Sequence, residues 1–271
     1  MATVLFVLAN LSGLVGFLYP FLLPAAQSAG ATRPDAPFLF FALTALCLLV
    51  LIADLTAREL DARTVALMGV LAAVNAALRL AETTVLVMPG GFSPVFLLII
   101  LTGYTFGVRF GFLFGALSLL ASALATGGIG PWLPYQMTAA GWVGLCAGLL
   151  PHTSRRAVRL GWLAGYGLIC GLLFGLLMNL YFWPFMAGPT GGMEAGLSFA
   201  ETLRRYLVFY GVTSLWWDAF RAAGNVALLL LLAEPLLRIL ERFQRRTTVV
   251  WEQRQGEGHG DSAVSSRCVY P

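Results

Sequence analysis

Four residues with chemistry to offer, Ser214, Asp218, Arg221 and Asn225, recur at spacings of four, three and four inside the apolar run 206–233. At 3.6 residues per turn they share one narrow helical face. An ionisable residue inside an apolar helix is costly and marks a substrate path, a proton relay or a structural pair. Asp218 and Arg221 suit a mutually neutralising pair, each being also in reach of neighbouring helices or of a ligand. A relay is the weakest of the three, because an Arg three residues away favours the ionised carboxylate.

Other polar and aromatic residues stand out against the same apolar background. Trp132, Tyr135 and Gln136 follow the stiff Pro131 and Pro134. They are suited either to stacking on a planar ligand or to anchoring at a membrane surface. Asn179 lies on the face of Gly171 and Gly175, suited to a ligand contact or an interhelical hydrogen bond. Asn75 and Arg79 are one turn apart, and Arg79 near a helix end is expected to snorkel toward headgroups rather than meet an anion. Tyr210, Ser214 and Trp217 complete the expected ligand set with Asp218 and Arg221.

The elements that must hold these residues follow from composition. Of 271 residues, 59% are apolar and 11% charged, a balance that a soluble domain of this size does not keep in solution. Long apolar runs such as 38–53 and 160–180 argue for membrane helices rather than barrel strands. The fold class is therefore all-α, a polytopic membrane bundle. Helices are expected near 3–27, 37–55, 63–81, 94–107, 111–126, 135–150, 160–184 and 206–239. The last exceeds the ~20 residues that cross a bilayer, so it must tilt, break near Glu234 and Pro235, or project.

All 17 basic residues are Arg. Without Lys there is no P-loop and no Schiff base, so ATP-driven work needs another chain. His152 and His259 fall in a loop and the tail, which disfavours an intramembrane hydrolase or a multi-His metal site; no cofactor or metal is expected. Cys47, Cys146 and Cys170 read as packing residues within helices, with Cys268 in the tail. Arg58, Arg63, Arg109, Arg155, Arg156, Arg159, Arg238, Arg242, Arg245 and Arg246 fall on one side of the eight-helix arrangement, against Arg33, Arg204 and Arg205 on the other. The bias puts both termini in the cytoplasm. Ala29, Gly30 and Ala31 look like a signal-peptidase site, but the basic n-region is missing and a retained helix is expected.

The charged segment 56–63 divides a two-helix extension, 1–57, from a core at 58–246, and a polar tail at 247–271 is expected to be disordered. Small residues recur every four positions at Gly103, Gly107, Gly111 and Gly115, at Gly167, Gly171 and Gly175, and at Gly144 and Gly148, which predicts dense helix packing. Ala62, Ala66, Gly69, Ala73, Ala76 and Ala77 form a smooth ridge, either packed internally or docked on a partner.

The core resembles the substrate-binding S component of energy-coupling factor (ECF) vitamin transporters, in an actinobacterial-like form. The resemblance rests on Ser93-Pro94-Val95-Phe96, on Thr102-Gly103 through Gly107, on Gly111 to Gly115, on Gly127 to Met137, on Gly141 to Gly144 and on Gly148 to Pro151. It continues with Gly171 to Gly175, with Asn179 to Phe185, and with Thr213-Ser214 through Asp218 and Arg221. It implies a six-helix fold, here with two extra helices, that captures a vitamin-type micronutrient outside and delivers it inward with a separate transmembrane subunit and two ATPases, without itself being an enzyme. Similar sequences point to cobalamin. It also implies a ligand pocket near the outer face beneath the connections 82–93 and 126–134, and an Ala-x-x-x-Ala docking motif on the first core helix, matched by Ala62/Ala66, Ala72/Ala76 and Ala73/Ala77. Two other classes stay open from the residues alone: a proton-coupled transporter using Asp218, and a membrane-embedded enzyme or structural subunit.

Overall fold

The computed structural model describes residues 2–22, 36–56, 62–84, 92–185 and 197–257. The segment 57–61, most of the connection 82–93, most of the connection 186–198 and the tail from 258 onward lie outside them. The described residues form nine α-helices: α1 (Ala2–Leu22), α2 (Ala36–Thr56), α3 (Ala62–Thr84), α4 (Val95–Phe106), α5 (Val108–Thr126), α6 (Leu133–Ala147), α7 (Arg156–Phe182), α8 (Phe199–Thr213) and α9 (Leu215–Glu257). No strand occurs among them. Helices satisfy their own backbone groups where water is absent, which is why apolar runs of this length take that form. The spans Arg63–Thr84, Val108–Thr126, Arg156–Phe182 and Leu215–Arg245 are long and apolar enough to cross a membrane. The chain is a polytopic helical membrane bundle.

At its centre lies α4, every residue of which except Phe106 is buried. Gly107 turns the chain directly from α4 into α5 at φ 90°, a conformation open to glycine. The reversal starts α5 one turn earlier than apolar patterning predicts. Two tight helix pairs enclose α4, and the glycine repeats make both. A Cβ at Gly103 or Gly111 would strike the Gly144 carbonyl, and one at Gly115 would strike that of Ala140, so α4, α5 and α6 meet backbone to backbone. In the second pair, a Cβ at Gly171 would meet the Ala222 backbone at 2.6 Å.

The extension helix α1 packs against α6. Asn10 Oδ1 accepts from Trp142 Nε1 at 3.0 Å, and Phe17 meets Tyr135 edge-on with ring centroids 5.2 Å apart. Arg109, at the α4–α5 turn, donates to Thr3, and Gln244 Nε2 donates to the Thr105 carbonyl at 2.9 Å. The start of α1 and the C-terminal part of α9 therefore lie at the same end of the bundle.

The expected helix 206–239 is two helices. Thr213 donates its hydroxyl to the Phe209 carbonyl at 2.8 Å, and Ser214 leaves helical geometry at φ −122°. Beyond that break α9 passes through Pro235 to Glu257, so the chain is helical for eleven residues past Arg246, where a disordered tail is expected. Apolar periodicity carries no signal for either event. On α3, Ala66, Ala73 and Ala77 are exposed, whereas Ala72 and Ala76 are buried against the bundle. The side chain of Ala62 lies outside the described set.

Candidate ligand site

The polar face of α9 meets the glycine face of α7 step by step. Ser214 donates to Asn179 Oδ1 at 3.2 Å. Asp218, 2% exposed, lies against Gly175, where a Cβ would land on its carboxylate. Arg221 donates to Asp218 and, at 3.4 Å, to the Gly171 carbonyl. Asn225 donates to the Gly167 carbonyl at 3.2 Å. Glycines without side chains leave backbone carbonyls open to such donors, so the donors of the stripe are paired, while Asp218 Oδ2 and Asn225 Oδ1 are buried without a hydrogen-bond partner. The polar line and the glycine repeat seen separately in the sequence are halves of one interface.

Arg221 also leads into a cavity of 240 Å³ whose walls come from α3, α4, α5, α6, α7 and α9. Its polar lining is Arg79, Glu82, Ser93, Gln136 and Arg221, and its apolar lining includes Val95, Phe96, Leu119, Phe174 and Met178. Arg79 pairs with Glu82 at 3.5 Å and donates to Ser93 at 3.3 Å, and Ser93 donates to Glu82 at 2.9 Å. The Arg221 guanidinium lies 5.5 Å from the centroid of the Phe174 ring. An Arg engages five donors at most, so each guanidinium retains N–H groups beyond these bonds.

Arg79 thus sits in a cavity wall, not snorkelling alone toward headgroups, because Glu82 and Ser93 at the end of α3 and the start of α4 give it partners. Ser93 and Phe96 belong to the Ser93-Pro94-Val95-Phe96 motif and Glu82 opens the connection 82–93 expected over the pocket, whereas no helical periodicity marks the three as cavity residues.

Of the nine residues expected at the ligand, Gln136 and Arg221 line the cavity. Tyr135 is fully buried between the rings of Phe17 and Tyr181. Asn179, Ser214 and Asp218 form the α7–α9 contact behind Arg221. Tyr210 is buried and donates to the Leu172 carbonyl at 3.4 Å. Trp132 and Trp217 are 43% and 56% exposed and do not line it; Trp132 folds back on its own loop, its Nε1 donating to the Gly128 carbonyl at 3.2 Å.

Among the described residues no cluster of three or more His, Cys, Asp or Glu is arranged to hold a metal.

No curated protein and no solved structure matches the chain. The family model for the ECF transporter substrate-specific component matches residues 63–233, which begins in α3 and ends in α9. That match covers more than half of the chain, includes every wall of the cavity and places the protein among transporter subunits rather than enzymes: the chain belongs to the substrate-specific component family of ECF transporters.

Proposed function

We propose that the 240 Å³ cavity binds a vitamin-type micronutrient from outside the cell, and that the chain delivers it inward with a separate transmembrane subunit and two cytoplasmic ATPases. The cavity carries this reading: a mixed polar and apolar recess at one end of a membrane bundle is what small-ligand capture requires. Arg79 and Arg221 suit an anionic or carbonyl-rich end of the ligand, and Phe96, Phe174 and Met178 its apolar body. The volume lies below the ~300–1,000 Å³ of typical drug-sized sites, which favours a compact vitamin over a corrin such as cobalamin.

The orientation follows from charge. Arg109, Arg155, Arg156 and Arg159 lie at the end opposite the cavity, together with the start of α1 and the late part of α9. By the positive-inside bias, that end is cytoplasmic, both termini are inside, and the membrane is the cell's inner membrane. Residues 1–57 then form an extension on α5 and α6, residues 58–246 the transport core and 247–271 a tail. The exposed ridge of Ala66, Ala73 and Ala77, continuous with Ala62 in sequence, is the docking face for the transmembrane partner.

The test is mass spectrometry of small molecules that copurify with the solitary protein, followed by titration with biotin, thiamine, riboflavin and cobalamin. Binding of one of them, weakened by Arg79→Gln, is expected. Failure to bind any small molecule would remove the assignment.

A further inference from the structure

A second cavity, 420 Å³, lies at the opposite end of the bundle between α4, α7, α9 and the connection before α7. Ligand capture makes no use of it. Its walls include Thr105, His152, Arg159, Glu241 and Arg245. Arg159 and Arg245 are the two cations in the wall, and the flanking turns of α7 and α9 add Arg155, Arg156, Arg238 and Arg242 in sequence.

The interior is constructed, not merely surrounded by charge. Arg159, its side chain 14% exposed, donates to Glu234 at 2.7 Å and to Glu241 at 3.3 Å. Those bonds neutralise the one carboxylate in the wall, yet Arg159 Nε is buried with no hydrogen-bond partner. Thr105 is 8% exposed and lines the cavity, and its hydroxyl is also buried without a partner. His152 is held by its Nε2, 2.8 Å from the Tyr104 carbonyl, with its ring stacked on Tyr104 at 4.4 Å. Buried donors left unmade are costly, and two of them in a basic recess point to an anionic acceptor.

The position identifies the anion. Arg156 opens the apolar span Arg156–Phe182 and Arg245 closes the span Leu215–Arg245, so the cavity lies at the depth where both apolar spans end. Basic recesses between membrane helices at that depth recognise phosphate-bearing headgroups. We propose that this cavity binds a phosphate group, supplied either by an anionic phospholipid headgroup or by a soluble phosphate. Arg245 and Thr105 contact it, and Arg159 forms the floor.

The full-length protein in nanodiscs of phosphatidylcholine, with and without phosphatidylglycerol, is released and its bound lipids are counted by native mass spectrometry. Preferential retention of phosphatidylglycerol is expected, reduced about tenfold by Arg245→Gln and by Thr105→Val, with Arg245→Lys closer to wild type. Thr105→Val separates ligand binding from structure, since removing an orphaned hydroxyl leaves packing intact. Retention that inorganic phosphate does not displace assigns the headgroup as the source. Saturable binding of inorganic phosphate with the same dependence on Arg245 and Thr105 assigns soluble phosphate. Equal retention of both lipids without phosphate binding, or indifference to both substitutions in a protein of unchanged helicity, overturns the proposal.

Discussion

Gly175→Ala tests how α7 accommodates the charged face of α9. A Cβ at this position would land on the Asp218 carboxylate, which is 2% exposed and bonded to Arg221. The methyl and the carboxylate cannot share that place, so either the helices separate or Asp218 leaves its partner. Overpacking of a tight site costs roughly 1–3 kcal/mol, and stranding one member of a buried ion pair about 3–5 kcal/mol. A loss of about 2–4 kcal/mol is expected in a reversible denaturant titration in detergent, between these two limits. Gly165→Ala on the same helix is the control, for nothing lies within 4 Å of its Cβ position, and helix propensity alone favours Ala by about 1 kcal/mol. The decisive measurement is the double-mutant cycle with Asp218→Ala. That variant alone strands Arg221, but it removes the atoms that the new methyl would strike. In its background Gly175→Ala should therefore cost almost nothing, and the coupling should equal the whole penalty of the single glycine variant. Penalties that simply add would refute the interlocked α7–α9 contact.

Three shorter predictions follow from other parts of the molecule. Gln136→Ala and Arg221→Gln should weaken ligand binding by tenfold or more, while Trp217→Ala should change it less than about threefold, because Trp217 is outside the cavity; isothermal titration checks this. Ala73→Trp should block assembly with the transmembrane partner without affecting ligand binding. Ala76→Trp, one turn along the same helix but buried against the bundle, should instead destabilise the solitary protein by roughly 1–3 kcal/mol or prevent its folding. Ser198 caps α8 by accepting from the Glu201 backbone N–H at 3.3 Å, while the Glu201 carboxylate accepts from Arg204 at 2.8 Å and Arg205 at 3.3 Å, and the hydrogen bonds from Arg204 hold that carboxyl at about 2, below its ordinary 4.5. A depressed folded-state value contributes stability that is complete above 4.5 and lost as pH falls toward 2. Hydrogen exchange at the start of α8 should be flat from about pH 7 to 5 apart from its intrinsic rate and accelerate below about 4, a response that Glu201→Gln abolishes.

The class of fold was readable because lipid imposes one rule on every segment: an apolar run without water must be helical. The glycine repeats were equally readable, since their purpose is steric and their spacing is that of a helix face. What escaped detection was decided by local backbone geometry and by contacts distant in sequence. The departure from helical geometry at Ser214 divides an apolar helix and leaves its hydropathy unchanged. Trp132 and Trp217 have the composition of a binding site, but exposure rather than residue type decides whether an aromatic lines a cavity. Arg79 looked like a boundary residue, and Glu82 and Ser93 like the ends of a connection over the pocket; only the approach of α3 and α4 makes them a hydrogen-bonded wall beside Arg221.

The same packing bears on how the chain moves its cargo. A proton-coupled transporter working through Asp218 needs a path to that carboxylate and a seam along which two halves separate. Asp218 lines neither cavity and is enclosed by Gly175 and Arg221. The glycine contacts of α4 with α6, α5 with α6, and α7 with α9 bring backbones together, and α4, α7 and α9 each contribute walls at both ends. Opening one cavity toward the other would require breaking close-packed interfaces throughout the bundle, which is far more costly than reorienting the bundle as a unit. A body of this kind suits an importer whose energy comes from outside the chain. Uptake in cells should therefore require the ATPase partners and persist for short times after an uncoupler collapses the proton gradient. Uptake that stops with the gradient while ATP remains would restore Asp218 as a coupling site and refute the rigid-body argument.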